Sequence, residues 1–223
     1  MLRSLDNFLK ILSLYILTSF GCNAQVNKPI DFIPDGYSEF EKYFGDLNKD
    51  GLEDCVVIIK KNDAANIARD EFDNKVDRNR RGILVLFKKE NGYELADKNF
   101  DCFSSENEDG AIYFPPELWI KIKNGKLNVH YGFGRYGYWE YTFLFRNSNF
   151  ELIEYNQSEN RGPYIEQHIN VNFLTKKKLI RENTYQPKNE EDIKEVFKDK
   201  LNDINVVELL KHSEIKDFDK LDI

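Results

Sequence analysis

A group of oxygen-bearing side chains in residues 46–54 is the part of the sequence best suited to chemistry. They belong to Asp46, Asn48, Asp50 and Asp54, at positions 1, 3, 5 and 9 of a short loop. Gly51 stands at position 6, where a glycine permits a sharp backbone turn around an ion. Ca²⁺ takes about six to eight oxygen ligands, so the spacing predicts a calcium site. The alternative is a turn rich in Asp and Asn that holds no ion.

The same loop resembles a known repeat. Phe44-Gly45 precedes it, a valine-rich run follows it, and the motif Asp46-x-Asn48-x-Asp50-Gly51-x-x-Asp54 is similar to the calcium loop of FG-GAP and VCBS-like repeats. The resemblance implies a Ca²⁺ held between strands, with the backbone carbonyl of Leu52 added to the four side chains. An EF-hand is not indicated, because Val57 stands at position 12, where that motif needs a bidentate glutamate.

A second candidate site lies in residues 131–141, where glycines alternate with aromatic side chains. Such a segment can form a shallow platform on which sugar rings or a peptide stack. The side chains offered to a ligand are Tyr131, Phe133, Arg135, Tyr136, Tyr138 and Trp139. The alternative is that the larger rings of this segment, together with Tyr141 and Phe143, fill the core of paired strands.

The elements that position these residues are predicted to be strands. Residues 56–60 and 83–87 are apolar β-branched runs, and Asn124-Gly125 joins two alternating segments, 118–123 and 126–131, as a two-residue hairpin. Three further strands are predicted at 138–146, 150–155 and 164–174.

Near the C-terminus, residues 190–201 place apolar side chains at helical spacing behind an acidic start, which predicts an amphipathic helix. The fold class is therefore mainly β, with antiparallel meanders arranged as a sandwich or as part of a propeller, and with one C-terminal amphipathic helix.

The N-terminus indicates export. Residues 1–21 combine basic residues with a short apolar run, as in a signal peptide, and the segment before Cys22 resembles a bacterial lipobox. Lipidation of Cys22 would anchor the protein to the membrane. Cleavage before Gln25 with release to the periplasm or outside the cell is one alternative, and an N-terminal helix packed on the domain is another.

The predicted organisation is a signal peptide at 1–21, a tether at 22–35, a mainly β domain at 36–212 and a loose tail at 213–223. This organisation resembles small exported lipoproteins of unknown function from Bacteroidota. In an oxidising compartment Cys55 and Cys102 can form a disulfide, or each can be a buried free thiol.

The net charge of −7 argues against a nucleic-acid partner, which needs a basic surface. No catalytic motif accompanies the three histidines, so an enzyme is the less favoured class. Three functions stand: an exported module that binds a glycan or protein ligand, a structural envelope lipoprotein without a ligand, and a small hydrolase that uses two carboxylates. Ca²⁺ is the only cofactor predicted.

Overall fold

Antiparallel strands form the framework of the chain. The computed structural model describes residues 27–70, 72–107, 117–189, 192–221 and 223, and helical structure in these ranges is limited to 3-10 turns of three or four residues. The strands are β1 (Tyr37–Gly45), β2 (Asp54–Lys61), β3 (Ile67–Arg69), β4 (Lys75–Asp77), β5 (Arg81–Lys89), β6 (Gly92–Phe103), β7 (Glu117–Lys123), β8 (Lys126–Gly132), β9 (Gly137–Arg146), β10 (Asn149–Arg161), β11 (Tyr164–Asn172), β12 (Lys177–Asn183) and β13 (Phe197–Asp203).

The strands form two large sheets and one small one. A four-stranded sheet has the order β1-β2-β5-β6, a seven-stranded sheet has the order β13-β12-β11-β10-β9-β8-β7, and β3 pairs with β4 in a separate hairpin. Neighbours in the seven-stranded sheet are consecutive in sequence, which is the meander that the alternating segments predict. The mainly β, antiparallel fold class is confirmed.

The two large sheets pack face to face around a shared core. Ile58 and Val85 of the four-stranded sheet belong to the same fully buried cluster as Val129 and Phe143 of the seven-stranded sheet. Phe87 on β5 meets Phe145 on β9 edge to face, with 4.8 Å between ring centroids. The arrangement is therefore a two-layer sandwich, held mainly by burial of apolar side chains.

A second, smaller core covers the other face of the four-stranded sheet. It contains the side chains of Cys55, Val57, Ile59, Leu84 and Leu86, and they are covered by Phe32, Ile33, Tyr37 and Tyr93. Because β2 and β5 are buried on both faces, they are unbroken apolar runs in the sequence. The predicted tether is wrong in its second half, since Phe32 and Ile33 pack on the domain and Asn27 accepts a hydrogen bond from the Tyr93 N–H.

The predicted disulfide is not formed. Cys55 and Cys102 are both free and buried, and they lie in different cores on opposite faces of the four-stranded sheet. Side chains that leave a sheet in opposite directions cannot be bridged without moving the backbone. The alternative, two buried thiols, is the one found.

The prediction of a C-terminal helix is also wrong. Residues 197–203 form β13 at the edge of the seven-stranded sheet, while residues 190 and 191 lie outside the described ranges. Most residues of β13 are exposed, as suits an edge strand, and Asp199 and Asp203 pair with Arg181 and Lys177 on β12. Cross-strand pairing thus overrides local helix propensity.

The segment predicted to be a loose tail is packed into the molecule. Ile215 is 3% exposed and Phe218 is 1% exposed, and the Phe218 ring stacks on Phe103 at 4.3 Å between centroids. On β6, the Asn99 side chain donates to the carbonyls of His212 and Ile215. The Asp and Lys residues around the apolar side chains made this segment look solvated, but its rings belong to the main core.

Candidate functional site

The β1–β2 connection is a tight turn built by its own side chains. Asp46 accepts from the Gly51 N–H at 3.0 Å, Asn48 accepts from the Asp50 N–H at 3.0 Å, and Asp50 accepts from the Leu52 N–H at 2.8 Å. Gly51 takes a φ of 84°, in the left-handed region that glycine enters without strain. The structure therefore brings Asp46, Asn48 and Asp50 together in one turn.

Asp54, the fourth predicted ligand, points into the molecule. Its side chain is fully buried, and its two carboxylate oxygens accept from the Leu47 N–H at 2.8 Å and the Lys88 N–H at 2.9 Å. Burial raises the pKa of this carboxyl group, while the two N–H donors act in the opposite direction. Asp54 thus fastens the loop to β5, a role that the spacing alone did not reveal.

One oxygen of the loop has no partner. The Oδ1 atom of Asp46 is buried without a hydrogen bond, although its neighbour Oδ2 has one. A buried carboxylate oxygen normally finds a donor or a cation. The repulsion that Asp50 exerts on Asp54 also raises the pKa of the latter. The buried Asp46 Oδ1, together with Asn48 and Asp50 beside it, is therefore the part of the loop that fits a cation.

Within the described ranges, no three His, Cys, Asp or Glu side chains are grouped closely enough to hold an ion. An open cavity of about 420 Å³ lies between the loop and the β7–β8 turn and is lined by Asp46, Lys49, Lys123 and Asn124. An ion held by the loop would depend on amide, carbonyl and water oxygens in addition to Asp46 and Asp50.

The platform predicted at residues 131–139 is largely core. Tyr131 is 0% exposed, and its ring stacks on Trp139 at 5.9 Å and meets Phe133 edge to face at 5.5 Å. Trp139 and Phe133 are half-buried against the same cluster. Tyr131 is therefore no ligand contact, and the packing alternative is confirmed for it and for Tyr141 and Phe143. Arg135 lies exposed beside Tyr136.

Tyr138 points away from that core and joins a different set of rings. Trp119, His130 and Tyr138 form a stack on the outer face of the seven-stranded sheet, with centroid separations of 4.4 Å and then 5.0 Å and interplanar angles of 16° and 29°. We call these three residues the outer aromatic stack. Trp119 is 36% exposed. The absence of a side chain at Gly132 makes space for the His130 ring, since a Cβ there would lie 2.9 Å from the His130 ring nitrogen.

The sequence analysis missed Trp119 and His130. The alternation along each strand could have revealed them. Trp119 lies between Leu118 and Ile120, and His130 lies between Val129 and Tyr131. Once the larger apolar set is assigned to the core, the intervening rings must face outward.

Polar side chains continue the outer face beyond the stack. Cα partners run across five adjacent strands from Trp119 through His130, Glu140 and Asn156 to Asn170, which we call the outer row. The Asn170 amide donates to the Asn156 carbonyl at 2.6 Å. Burial lowers the pKa of His130 below its usual value, so the stack is uncharged at neutral pH.

Glu106, an acid that a two-carboxylate hydrolase could use, is paired with a lysine in the structure. Lys60, whose side chain is 8% exposed, forms ion pairs with both Asp77 and Glu106. The pKa of Asp77 is lowered, with hydrogen bonds from Asn79 and the charge of Lys60 outweighing burial. A general acid needs a raised pKa, which Asp77 does not offer. Glu108 and Asp109, two acids near Glu106 that such a hydrolase could also use, lie outside the described residues.

The export elements cannot be placed on the structure, because residues 1–21 and Cys22 lie outside the described ranges. In the part of the chain that is described, no helix has the length and apolar character that crossing a bilayer requires. Comparison with protein-family models, with curated proteins and with solved structures gives no match.

Proposed function

We propose that this chain is an exported binding module of the cell envelope, anchored through a lipid on Cys22 and stapled by a Ca²⁺ in the 46–54 loop. Its ligand surface is the outer face of the seven-stranded sheet. The observation that carries the proposal is the outer aromatic stack, since three rings lie together on a solvent-facing sheet outside the apolar core. Preformed aromatic surfaces of this kind are a common feature of binding sites.

A structural lipoprotein without a ligand would not need these rings. Trp119 is the most exposed member of the stack. It faces outward on β7, as Lys121 and Lys123 do. A charged or small side chain there would keep the strand soluble, whereas an exposed indole adds apolar surface. The stack therefore favours the binding module over the purely structural role.

Co-sedimentation with isolated cell envelopes tests the binding function. The Cys22→Ser chain, which carries no lipid, should sediment with the insoluble envelope fraction, and adding Trp119→Ala or Tyr138→Ala should reduce the bound fraction severalfold. Leu95→Ala is the matched control, because Leu95 is 38% exposed, nearly the same fraction as Trp119, but lies on β6 of the four-stranded sheet. Equal sedimentation of all four proteins would refute the binding function.

The calcium staple has its own test. A Ca²⁺ concentration about 100 times Kd should stabilise the folded chain by about 2.7 kcal/mol, which thermal melting with and without a chelator measures. Asp46→Ala should abolish the shift, because it removes the buried oxygen that lacks a partner. Asp70→Ala is the control, since Asp70 makes a similar turn in the β3–β4 loop by accepting from Phe72 and Asn74. A shift that survives Asp46→Ala would refute the site.

A further inference from the structure

We infer that the ligand of the outer face is a neutral glycan chain, which stacks on Trp119 and runs across the strands along the outer row. This inference rests on the proposed binding function and names the ligand class for that same surface. It combines the geometry of the rings with the chemistry of the polar side chains beside them.

The ring geometry supplies one apolar surface for a sugar. Trp119 and His130 are paired across β7 and β8, and their rings are nearly parallel at 4.4 Å, close to the spacing of about 4.8 Å between strands. The rings therefore stand upright on the sheet, each fixed by the next. β7 is the edge strand of its sheet, so the face of Trp119 opposite His130 is turned toward the sheet edge. The C–H face of a pyranose ring can stack there, on an indole whose rotamer is already set, and the sugars that follow then pass over the upper edges of the Trp119 and His130 rings to reach the rest of the outer row.

Hydrogen-bonding groups follow in register. Glu140, Asn156 and Asn170 occupy the next three strands of the outer row, and from Trp119 to Asn170 the row spans about 19 Å, which is four strand spacings. The hydrogen bond from Asn170 to Asn156 uses one donor and one acceptor of the amide pair. It leaves the NH₂ group of Asn156 and the carbonyl of Asn170 for a ligand. Paired donors and acceptors of this kind match the hydroxyl groups of a sugar.

The charges on the face argue for an uncharged ligand. Basic side chains farther along it are already paired, Lys126 with Glu154, Arg181 with Asp199, and Lys177 with Asp203. Next to the stack, Glu117 and Glu140 act electrostatically on His130 and Tyr138. A polyanion would meet these two carboxylates, whereas sugar hydroxyls can donate to them. Lys121 and Lys123 also face outward on β7, two and four residues from Trp119. The outer row itself contains no Lys or Arg, so it offers aromatic, amide and carboxylate groups but no basic side chain to an acidic partner.

Affinity electrophoresis of the Cys22→Ser chain tests the inference, with the probe polysaccharide cast into a native gel. Hydroxyethylcellulose, xylan and dextran serve as neutral probes and alginate as the polyanion. At least one neutral glycan should retard the protein. Trp119→Ala should weaken that binding about tenfold, and the double change Asn156→Ala with Asn170→Ala should weaken it to a similar extent. Leu95→Ala, on the four-stranded sheet, should stay within twofold of the parent, and circular dichroism should show that every variant is folded.

The outcomes separate the two proposals. Retardation by a neutral glycan that Trp119→Ala and the double asparagine change both relieve supports the inference. Retardation by alginate alone, or by no neutral glycan, overturns it, and so does binding that the variants leave unchanged. If the protein fails on every glycan but still binds envelopes through Trp119, the ligand is a protein, and the binding function stands without the glycan.

Discussion

Four oxygen-bearing residues of one loop turn out to have two different roles. Asp46, Asn48 and Asp50 fold the turn through its own N–H groups, whereas Asp54 reaches inward to the backbone of Leu47 and Lys88. Their spacing in the sequence identified all four as a group, because the pattern of positions 1, 3, 5 and 9 is visible from the residue types alone. Which of them is buried depends on β5, thirty residues later, and so could not be deduced from the loop alone.

Asp54→Ala should destabilise the fold by about 2–4 kcal/mol, since two buried backbone N–H groups lose their acceptor. Chemical denaturation in calcium-free buffer measures this loss. Asp50→Ala provides the comparison, because it removes a carboxylate from the exposed side of the same loop and should cost clearly less. Equal losses for the two variants would show that Asp54 does not fasten the loop to β5.

Protonation of His130 should destabilise the folded chain. Burial lowers the pKa of this imidazole, and Glu117 only partly opposes the effect, so the unfolded chain takes up the proton more readily. Its contribution to stability is complete above about pH 6.5, the ordinary histidine pKa, and is lost as the pH falls through the folded pKa. His130→Phe keeps a ring in the stack but cannot titrate. The free energy of unfolding, measured from pH 8 to 5, should therefore fall more steeply for the parent than for this variant, and parallel curves would contradict the assignment.

At the scale of elements, prediction succeeded where the periodic pattern is local and failed where pairing is remote. The Asn124-Gly125 hairpin and the apolar runs of β2 and β5 were identified because turn chemistry and burial on both faces mark them directly. β1 was not predicted, since it is an edge strand with mostly exposed side chains and no alternating apolar face. β13 was mistaken for a helix because its partner residues on β12 are not visible in its own sequence.

Gly137 lies at the start of β9, directly before Tyr138 of the outer aromatic stack. It begins β9 with a φ of 118°, and a Cβ there would overlap the carbonyl oxygen of Ser158 on β10. Gly137→Ala should therefore cost about 3 kcal/mol or more in thermal or chemical unfolding. Gly36→Ala is the matched control, because Gly36 also has a positive φ, 84°, but open space around its Cα, so about 1 kcal/mol is expected. Similar costs at both positions would refute the overlap.

At the scale of the whole molecule, the segment after β13 connects the two sheets. It receives hydrogen bonds from Asn99 on β6 and from the Tyr141 hydroxyl on β9, which donates to the Phe218 carbonyl at 3.2 Å. Its apolar residues are few and scattered among charges, so the sequence predicted a loose end. Only the assembled sandwich provides the space that Phe218 fills. Trp119 and His130 were missed for a related reason, since the side of a strand that faces solvent is set by the packing of the other sheet.

Phe218→Ala should reduce the free energy of unfolding by about 3–5 kcal/mol, because it leaves a cavity beside Phe103 and Tyr141. Denaturant unfolding followed by near-ultraviolet circular dichroism measures the change in both layers. Val207→Ala in the same segment should stay within about 0.5 kcal/mol, as Val207 is 93% exposed. A loss below 1 kcal/mol for Phe218→Ala would mean that the segment is not part of the core.

The placement of Cys55 and Cys102 on opposite faces of the four-stranded sheet gives the molecule two internal reporters. Burial raises the pKa of Cys55 to about 12 and raises that of Cys102 as well, so neither sulfur is a nucleophile while its layer is closed. An alkylating reagent can modify Cys55 only when Phe32 and Ile33 move away from the smaller core, and it can modify Cys102 only when the two large sheets separate. When the Cys22→Ser chain is alkylated, mass spectrometry shows which of the two cysteines reacts first. That order shows which of the two cores opens first.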